Sequence, residues 1–304
     1  KMVMLDAMKV GQKHNIDYVR LGKKAPFVTR LKYKFYEKTI YKLLKKVIGV
    51  ENGNFFPTAG AAVPEEVQRF IKSVGINMMV GYGLTETTAT VSVTPDVGYQ
   101  IGSIGYPLPG VEVKISDEGE ILVKGKGVTR GYYNKPEETK KAFTEDGWFR
   151  TGDAGHIKDG QLYITDRIKD LLKTSNGKYI APQALETQLV VDKYIDQITI
   201  IANNRRFVSA LIVPEYNQLK KYAEENNIKY SSIEELISLP EVKGLYQRRI
   251  DVRQESFAHF EKIKRFTLLA EPFSMERGEV TNTLKVKRNK VAENYKDVIE
   301  KMYE

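Results

Sequence analysis

Glu86 and Thr85 lie in the stretch GYGLTET, residues 81–87, between glycines and just beyond the apolar run 76–80. A carboxylate and a hydroxyl placed past a buried strand suit the binding of an anion together with a hard cation. The plainer alternative is a glycine-rich turn whose threonine caps a short helix. Other chemistries are excluded by residue type. With no cysteine there is no thiolate nucleophile, thiolate metal site or disulfide. His14, His156 and His259 are scattered and read as structural or surface residues. A net charge of +9 points to a polyanionic partner: nucleic acid, an anionic membrane surface or a nucleotide. No aromatic-interleaved basic motif supports nucleic acid, so no nucleic-acid partner is expected.

The flanking elements must position that loop. Phe55-Phe56 reads as a short buried strand, followed by the small-residue loop 58–62. Pro64, Glu65 and Glu66 open a helix that Gly75 closes, and 76–80 reads as a second strand. A strand–helix–strand unit implies parallel pairing, with ligands beyond the carboxyl ends of the strands. Loops 58–62 and 81–86 should therefore lie side by side.

Residues 1–50 read as basic, amphipathic helices. In the segment 30–47, Leu31, Phe35, Ile40, Leu43, Leu44 and Val47 recur at helical spacing among lysines. That pattern fits either peripheral membrane contact or an ordinary domain helix. The basic run 262–290 reads as a solvated helix face. Short alternating runs between about 90 and 165, split by Gly, Asp and Pro, predict an antiparallel sheet or small barrel. Beyond 168, strands at 197–202 and 208–214 and later helices predict a separate α+β domain. No apolar run is long enough to span a membrane and no signal peptide is visible, so a cytoplasmic protein is expected, with peripheral membrane attachment as the alternative.

Four further stretches follow GYGLTE in order: GSIGYPLPGVEVKI (102–115), DGWFRTGD (146–153), DRIKDLLKTSNGKYIAPQALE (166–186) and GEVTNTLKVKR (278–288). In this order and spacing the chain closely resembles the long-chain acyl-CoA synthetases (fatty acid–CoA ligases) of the adenylate-forming superfamily, from about residue 51 to 304. The resemblance implies the C-terminal part of such an enzyme, α/β plus α+β. Its parts would be a partial parallel sheet with helices over 1–97, a small antiparallel β subdomain over 98–167, and a mobile α+β lid over 168–304.

The resemblance also implies roles. Glu86 would hold Mg²⁺, Thr85 would bond phosphate and Tyr82 would meet the adenine. Gly81 and Gly83 would let the backbone approach the ligand, and Gly60, Ala61 and Ala62 would line the adenine and acyl phosphate. Asp153 would take the ribose hydroxyls, and Arg167 would reach the ribose and phosphate region. Lys169 would be the hinge. Gly177 and Lys178 would lie on the loop serving the thioester-forming state. Lys285 would be the catalytic lysine, while Trp148 packs its turn. ATP, a long-chain fatty acid and CoA would be the substrates. A fatty acyl–carrier-protein ligase and a non-catalytic AMP- or acyl-adenylate-binding module remain as alternatives. The phosphate loop, part of the main sheet and most of the acyl pocket are expected upstream of this chain, leaving it inactive alone.

Overall fold

The computed structural model describes residues 2–53, 55–282 and 285–304. It divides into two compact units, Lys1–Ile168 and Lys169–Glu304.

The first unit opens with α1 (Met2–Gly11), α2 (Phe27–Tyr36) and α3 (Lys42–Ile48), with π-helical turns after α1 and between α2 and α3. Of the apolar stripe read from spacing, Ile40 and Leu44 pack partly buried against the core. Leu31, Phe35, Leu43 and Val47 are exposed. The core is taken by Tyr33, Tyr36 and Tyr41 with Ala7, Val10, Val74 and Ile76. Tyrosine can occupy these positions because its hydroxyl finds a partner. The Tyr41 hydroxyl donates to the Ala7 carbonyl at 2.6 Å, and that of Tyr36 to Asp6 Oδ2 at 2.6 Å. His14 stacks on Tyr33 at 3.9 Å, a packing role.

Next come β1 (Phe56–Thr58), α4 (Glu65–Ser73) and β2 (Met78–Tyr82), then β3 (Ser92–Val93) and β4 (Tyr106–Pro107). They form one sheet in the order β1-β2-β3-β4. β1 and β2 are parallel, with Thr58 opposite Val80. β3 runs antiparallel to β2. Two expectations shift here. Phe55 is exposed and outside the strand, which takes Pro57 instead. The second strand starts at Met78 and continues through Gly81 and Tyr82, because β3 folds back to pair with them. Proline is tolerated in β1 because the strand lies at the sheet's edge.

The unit ends in a four-stranded antiparallel meander, β5 (Val111–Ile115), β6 (Glu120–Gly125), β7 (Phe149–Lys158) and β8 (Gln161–Arg167), with α5 (Pro136–Ala142) inserted before β7. Trp148 lies half-buried at the start of β7. Lys114 Nζ sits 4.5 Å from its ring centroid and Lys124 Nζ 5.7 Å.

The second unit begins with the hairpin β9 (Leu172–Lys173) and β10 (Tyr179–Ile180), then α6 (Pro182–Val190). Its sheet has the order β11 (Ile195–Ile201), β12 (Val208–Pro214), β13 (Ile263–Leu268). Helices α7 (Tyr216–Glu225), α8 (Ile233–Ser238) and α9 (Pro240–Arg253) precede β13; α10 (Arg288–Asn294) and α11 (Lys296–Lys301) follow it. Alternate residues of β12 feed two cores. Val208, Ala210 and Ile212 pack with α6 to α9, whereas Leu211 and Val213 pack with α10 and α11. The basic run 262–290 is therefore an edge strand, turns and a helix start rather than a helix face.

Candidate functional site

The GYGLTET stretch is the tip of a hairpin. β2 carries the chain out to Tyr82, and the Val91 N–H donates to the Tyr82 carbonyl at 2.7 Å as β3 returns. Between them Thr85–Thr87 form a single 3-10 turn. The buried Thr87 hydroxyl closes it, accepting from Leu84 N–H at 2.9 Å and donating to the Leu84 carbonyl at 3.0 Å. Thr88 and Ala89 both take left-handed backbone, at φ 53° and 73°. For a β-branched residue that conformation is strained, and it turns the chain sharply back. The return brings the Ala89 carbonyl and Thr90 Cα hard against Gly83. Gly83 thus serves its own loop. Gly81 has ordinary space, with the nearest atom to an added Cβ being the Ser92 carbonyl at 3.7 Å.

At the loop's tip Thr85 is exposed and Glu86 half-buried. The Tyr132 hydroxyl donates to Glu86 Oε1 at 2.9 Å, and the Glu86 carbonyl accepts from Thr129 N–H at 2.7 Å. The segment 129–132 therefore fixes the glutamate. Tyr132 was not singled out from sequence, since it lies in no quoted motif. Gly60, Ala61 and Ala62 are exposed on the loop after β1. Parallel pairing of β1 with β2 puts that loop at the same sheet edge as GYGLTET, as expected.

Asp153 is a buried residue of β7, directly opposite Arg167 of β8. Its Oδ1 is ion-paired with Arg167 Nε at 2.9 Å, and its Oδ2 accepts from the Tyr82 hydroxyl at 2.6 Å. Tyr82 comes from the other sheet, so the contact ties GYGLTET to the TGD turn. Behind them the buried Glu120 accepts from Arg150 Nε at 3.0 Å and from Gly152 N–H at 2.9 Å. Gly152 sits at φ 71°, a conformation glycine takes without strain. Burial pushes the Asp153 carboxyl above the usual range, with Glu120 adding to this; the Tyr82 hydrogen bond and the Arg167 charge pull the other way. Burial, and then the Asp153 charge, push the Tyr82 phenol far up, so it remains a donor.

Tyr82→Phe should therefore cost about 1–3 kcal/mol of stability, the usual penalty for removing a partner from a buried polar group. Urea unfolding checks this; an unchanged midpoint would show that solvent replaces the phenol.

The remaining expected residues lie in the second unit. Lys169 is in the 3-10 turn Ile168–Asp170, where the chain divides. Gly177 and Lys178 form the turn between β9 and β10, closed by Thr174 N–H to the Lys178 carbonyl at 2.9 Å. Lys285 sits on a tight loop held by a bridge between Val280 and Val286. Lys285 N–H donates to Thr281 Oγ1 at 3.0 Å. Thr283 and Leu284 lie outside the described residues.

That loop is anchored by Glu279, a fully buried acid inside a quoted motif but not singled out there. It accepts from Arg277 Nε at 3.0 Å, Asn294 Nδ2 at 3.0 Å and Ser274 N–H at 3.0 Å. Burial alone would raise its pKa, but these donors and the Arg277 charge hold it below the usual glutamate range. A lowered folded pKa contributes stability above the unfolded value that is lost as pH falls through the folded one. The second unit should therefore lose stability as pH drops below the ordinary glutamate range of about 4.3. Glu279→Gln should flatten that acid limb, read from urea midpoints against pH. An unaltered slope would remove Glu279 as the acid-sensitive group.

Among the described residues no group of three His, Asp or Glu side chains converges on a metal site. No helix is long and apolar enough to cross a membrane.

Comparison with known proteins follows the same division. Residues 20–133 match the family model of the AMP-binding enzymes, and residues 169–304 that of the AMP-binding enzyme C-terminal domain. A long-chain-fatty-acid–CoA ligase of Mycobacterium bovis is 33% identical over 276 residues, 90% of this chain and 46% of that protein. A long-chain-fatty-acid–[acyl-carrier-protein] ligase of Arabidopsis thaliana is 30% identical, over 88% of this chain and 38% of that one. The chain spans less than half the length of these curated relatives. Among solved structures, the adenylation domain of a carboxylate reductase from Mycobacterium chelonae matches with a TM-score of 0.66 and 23% identity, over 98% of this chain and 45% of that one. That likeness concerns the fold alone.

Proposed function

The chain belongs to the AMP-binding enzymes, and on that premise we propose that it is part of a ligase that activates a long-chain fatty acid with ATP and passes the acyl group to coenzyme A. The observation that carries this reading is the meeting of Tyr82, Asp153 and Arg167 at the base of the loop that bears Glu86. Oδ2 of Asp153 accepts the Tyr82 bond and Oδ1 pairs with the Arg167 charge, which leaves both oxygens with acceptor capacity. A ribose diol would take those. Arg167 Nε is engaged, but its terminal nitrogens remain for phosphate.

A lone glutamate suits Mg²⁺, which takes one or two carboxylates plus phosphate oxygens and water. Glu86 would hold the ion, with the Thr85 hydroxyl beside it for phosphate. When bound, the ion neutralises charge on the phosphates. In the first step an oxygen of the fatty carboxylate bonds the α-phosphorus and pyrophosphate leaves; Lys285 would offset the charge that builds up there. In the second, the thiol sulfur bonds the acyl carbon, loses its proton, and AMP departs. Lys169 would serve as the hinge, and Gly177 and Lys178 would serve the second step. Gly60, Ala61 and Ala62 would flank the nucleotide. The carrier-protein ligase among the relatives supports a second reading of the acceptor, which a thiol-acceptor assay separates. Exposed Leu31, Phe35, Leu43 and Val47 among lysines support contact with an anionic membrane.

Asp153→Ala in the parent polypeptide should weaken AMP binding at least tenfold by calorimetry, about 1.4 kcal/mol. Unchanged affinity would overturn the ribose assignment. Palmitate-dependent ATP–pyrophosphate exchange tests the reaction itself.

A further inference from the structure

A groove of about 730 Å³ lies wholly within the second unit, along the outer edge of β13. β13 is the last strand of its sheet, and its far side faces no other strand. Its amino end is tied back: the Gln254 side chain accepts from Ile263 N–H at 2.8 Å and donates to the Ile263 carbonyl at 3.4 Å. From Lys264 to Leu268, among the described residues, no further segment's backbone pairs with the strand.

Helices overhang this edge from both faces of the sheet. Ile237 of α8 and Lys243, Gly244 and Gln247 of α9 line one side, where Phe266 and Leu268 pack. Lys301 and Met302, at the end of α11, line the other, where Arg265 Nη1 donates to the Met302 carbonyl at 2.9 Å. The space between the two helix layers is where a fourth strand would run.

The lining is strongly basic. Lys243, Lys264, Arg265 and Lys301 stand against a single acid, Glu234. Glu234 is engaged at the start of its own helix by its backbone N–H and by Ser232. None of the four cations is in an ion pair among the described residues. Lys264 Nζ lies 3.0 Å from His259 Nε2.

We propose that this groove binds an extended, acidic peptide segment of a partner protein, which adds to β13 as a fourth strand. An open strand edge supplies main-chain hydrogen bonds. The four cations select acidic side chains. Ile237, Phe266 and Leu268 receive alternate apolar ones, at the two-residue period of a strand. A lipid or a free phosphate would use the charge but not the strand edge.

The test uses the 304-residue chain and a fluorescein-labelled octapeptide alternating Glu and Val. Anisotropy should rise on binding. An octapeptide with every Val replaced by Pro keeps the charge but loses ladder donors, and should bind at least tenfold more weakly. The Lys243→Glu/Lys301→Glu double variant changes two exposed helix residues, so its fold is checked by circular dichroism; it too should bind at least tenfold more weakly. Hydrogen exchange should slow in 263–268 only with the Glu/Val peptide. The proposal is overturned by no binding, by equal binding of the proline peptide, by indifference to charge reversal, or by binding without protection of 263–268. Displacement of the peptide by palmitate or phosphatidylglycerol vesicles, with the same segment protected, would also overturn it.

Discussion

Gly83→Ala is expected to disrupt the GYGLTET hairpin, whereas Gly81→Ala, two residues earlier in the same stretch, should leave it intact. A Cβ on Gly83 would come within 2.9 Å of Thr90 Cα and nearer still to the Ala89 carbonyl. Both neighbours are backbone, so no side chain can swing aside. The return limb cannot yield easily either, since Val91 is bonded to Tyr82 and Thr88 is held through its hydroxyl to the Gly127 carbonyl at 2.6 Å. Overpacking usually costs about 1–3 kcal/mol, and this contact belongs at or above the top of that range. Displacing the limb would also move Glu86. Urea unfolding and AMP affinity should fall together for Gly83→Ala, with Gly81→Ala close to the parent in both. Equal tolerance of the two would mean that the hairpin re-forms by another path.

The second large effect concerns Asp192, between α6 and β11. Its side chain is fully buried, with Arg249 Nη2 at 2.6 Å and Arg253 Nε at 3.4 Å. Oδ1 accepts from Tyr194 N–H at 3.1 Å. The three charges are not equally trapped. Arg249 is 38% exposed and Arg253 16%, against none for Asp192. Removing the acid leaves cations that can turn toward water. Removing both arginines strands a buried carboxylate, and breaking such a pair costs about 3–5 kcal/mol. The Arg249→Ala/Arg253→Ala double variant should therefore be destabilised by about that much, and more than Asp192→Asn, which keeps the isosteric contact with Tyr194. The reverse order in chemical denaturation would show that water reaches Asp192.

Much of this was legible in sequence because several residues announce themselves locally. Pro64 with Glu65 and Glu66 marks a helix start, and α4 begins there. The alternation in 111–115 and 120–124 marks paired strands, and they pair. The motif order placed the chain in its family. What stayed hidden depends on partners distant in sequence. Leu31 and Phe35 have helical spacing, but the buried face went to tyrosines whose hydroxyls reach Asp6 and Ala7. Nothing in 81–87 reveals that Ala89 folds back on Gly83, since that rests on two left-handed residues which are not glycine. Tyr132 and Glu279 hold the segments of Glu86 and Lys285, yet each is identified only by where its hydrogen bonds end.

Trp148, flanked by Lys114 and Lys124, is the protein's one tryptophan, and it belongs to the first unit. Emission excited at the indole band therefore reports on a single sheet. Melting confined to residues 169–304 would leave that light unchanged while ellipticity fell. The wild-type chain thus carries a built-in optical label for one half, and lesions such as those at Asp192 can be told from lesions such as that at Gly83 without adding a dye.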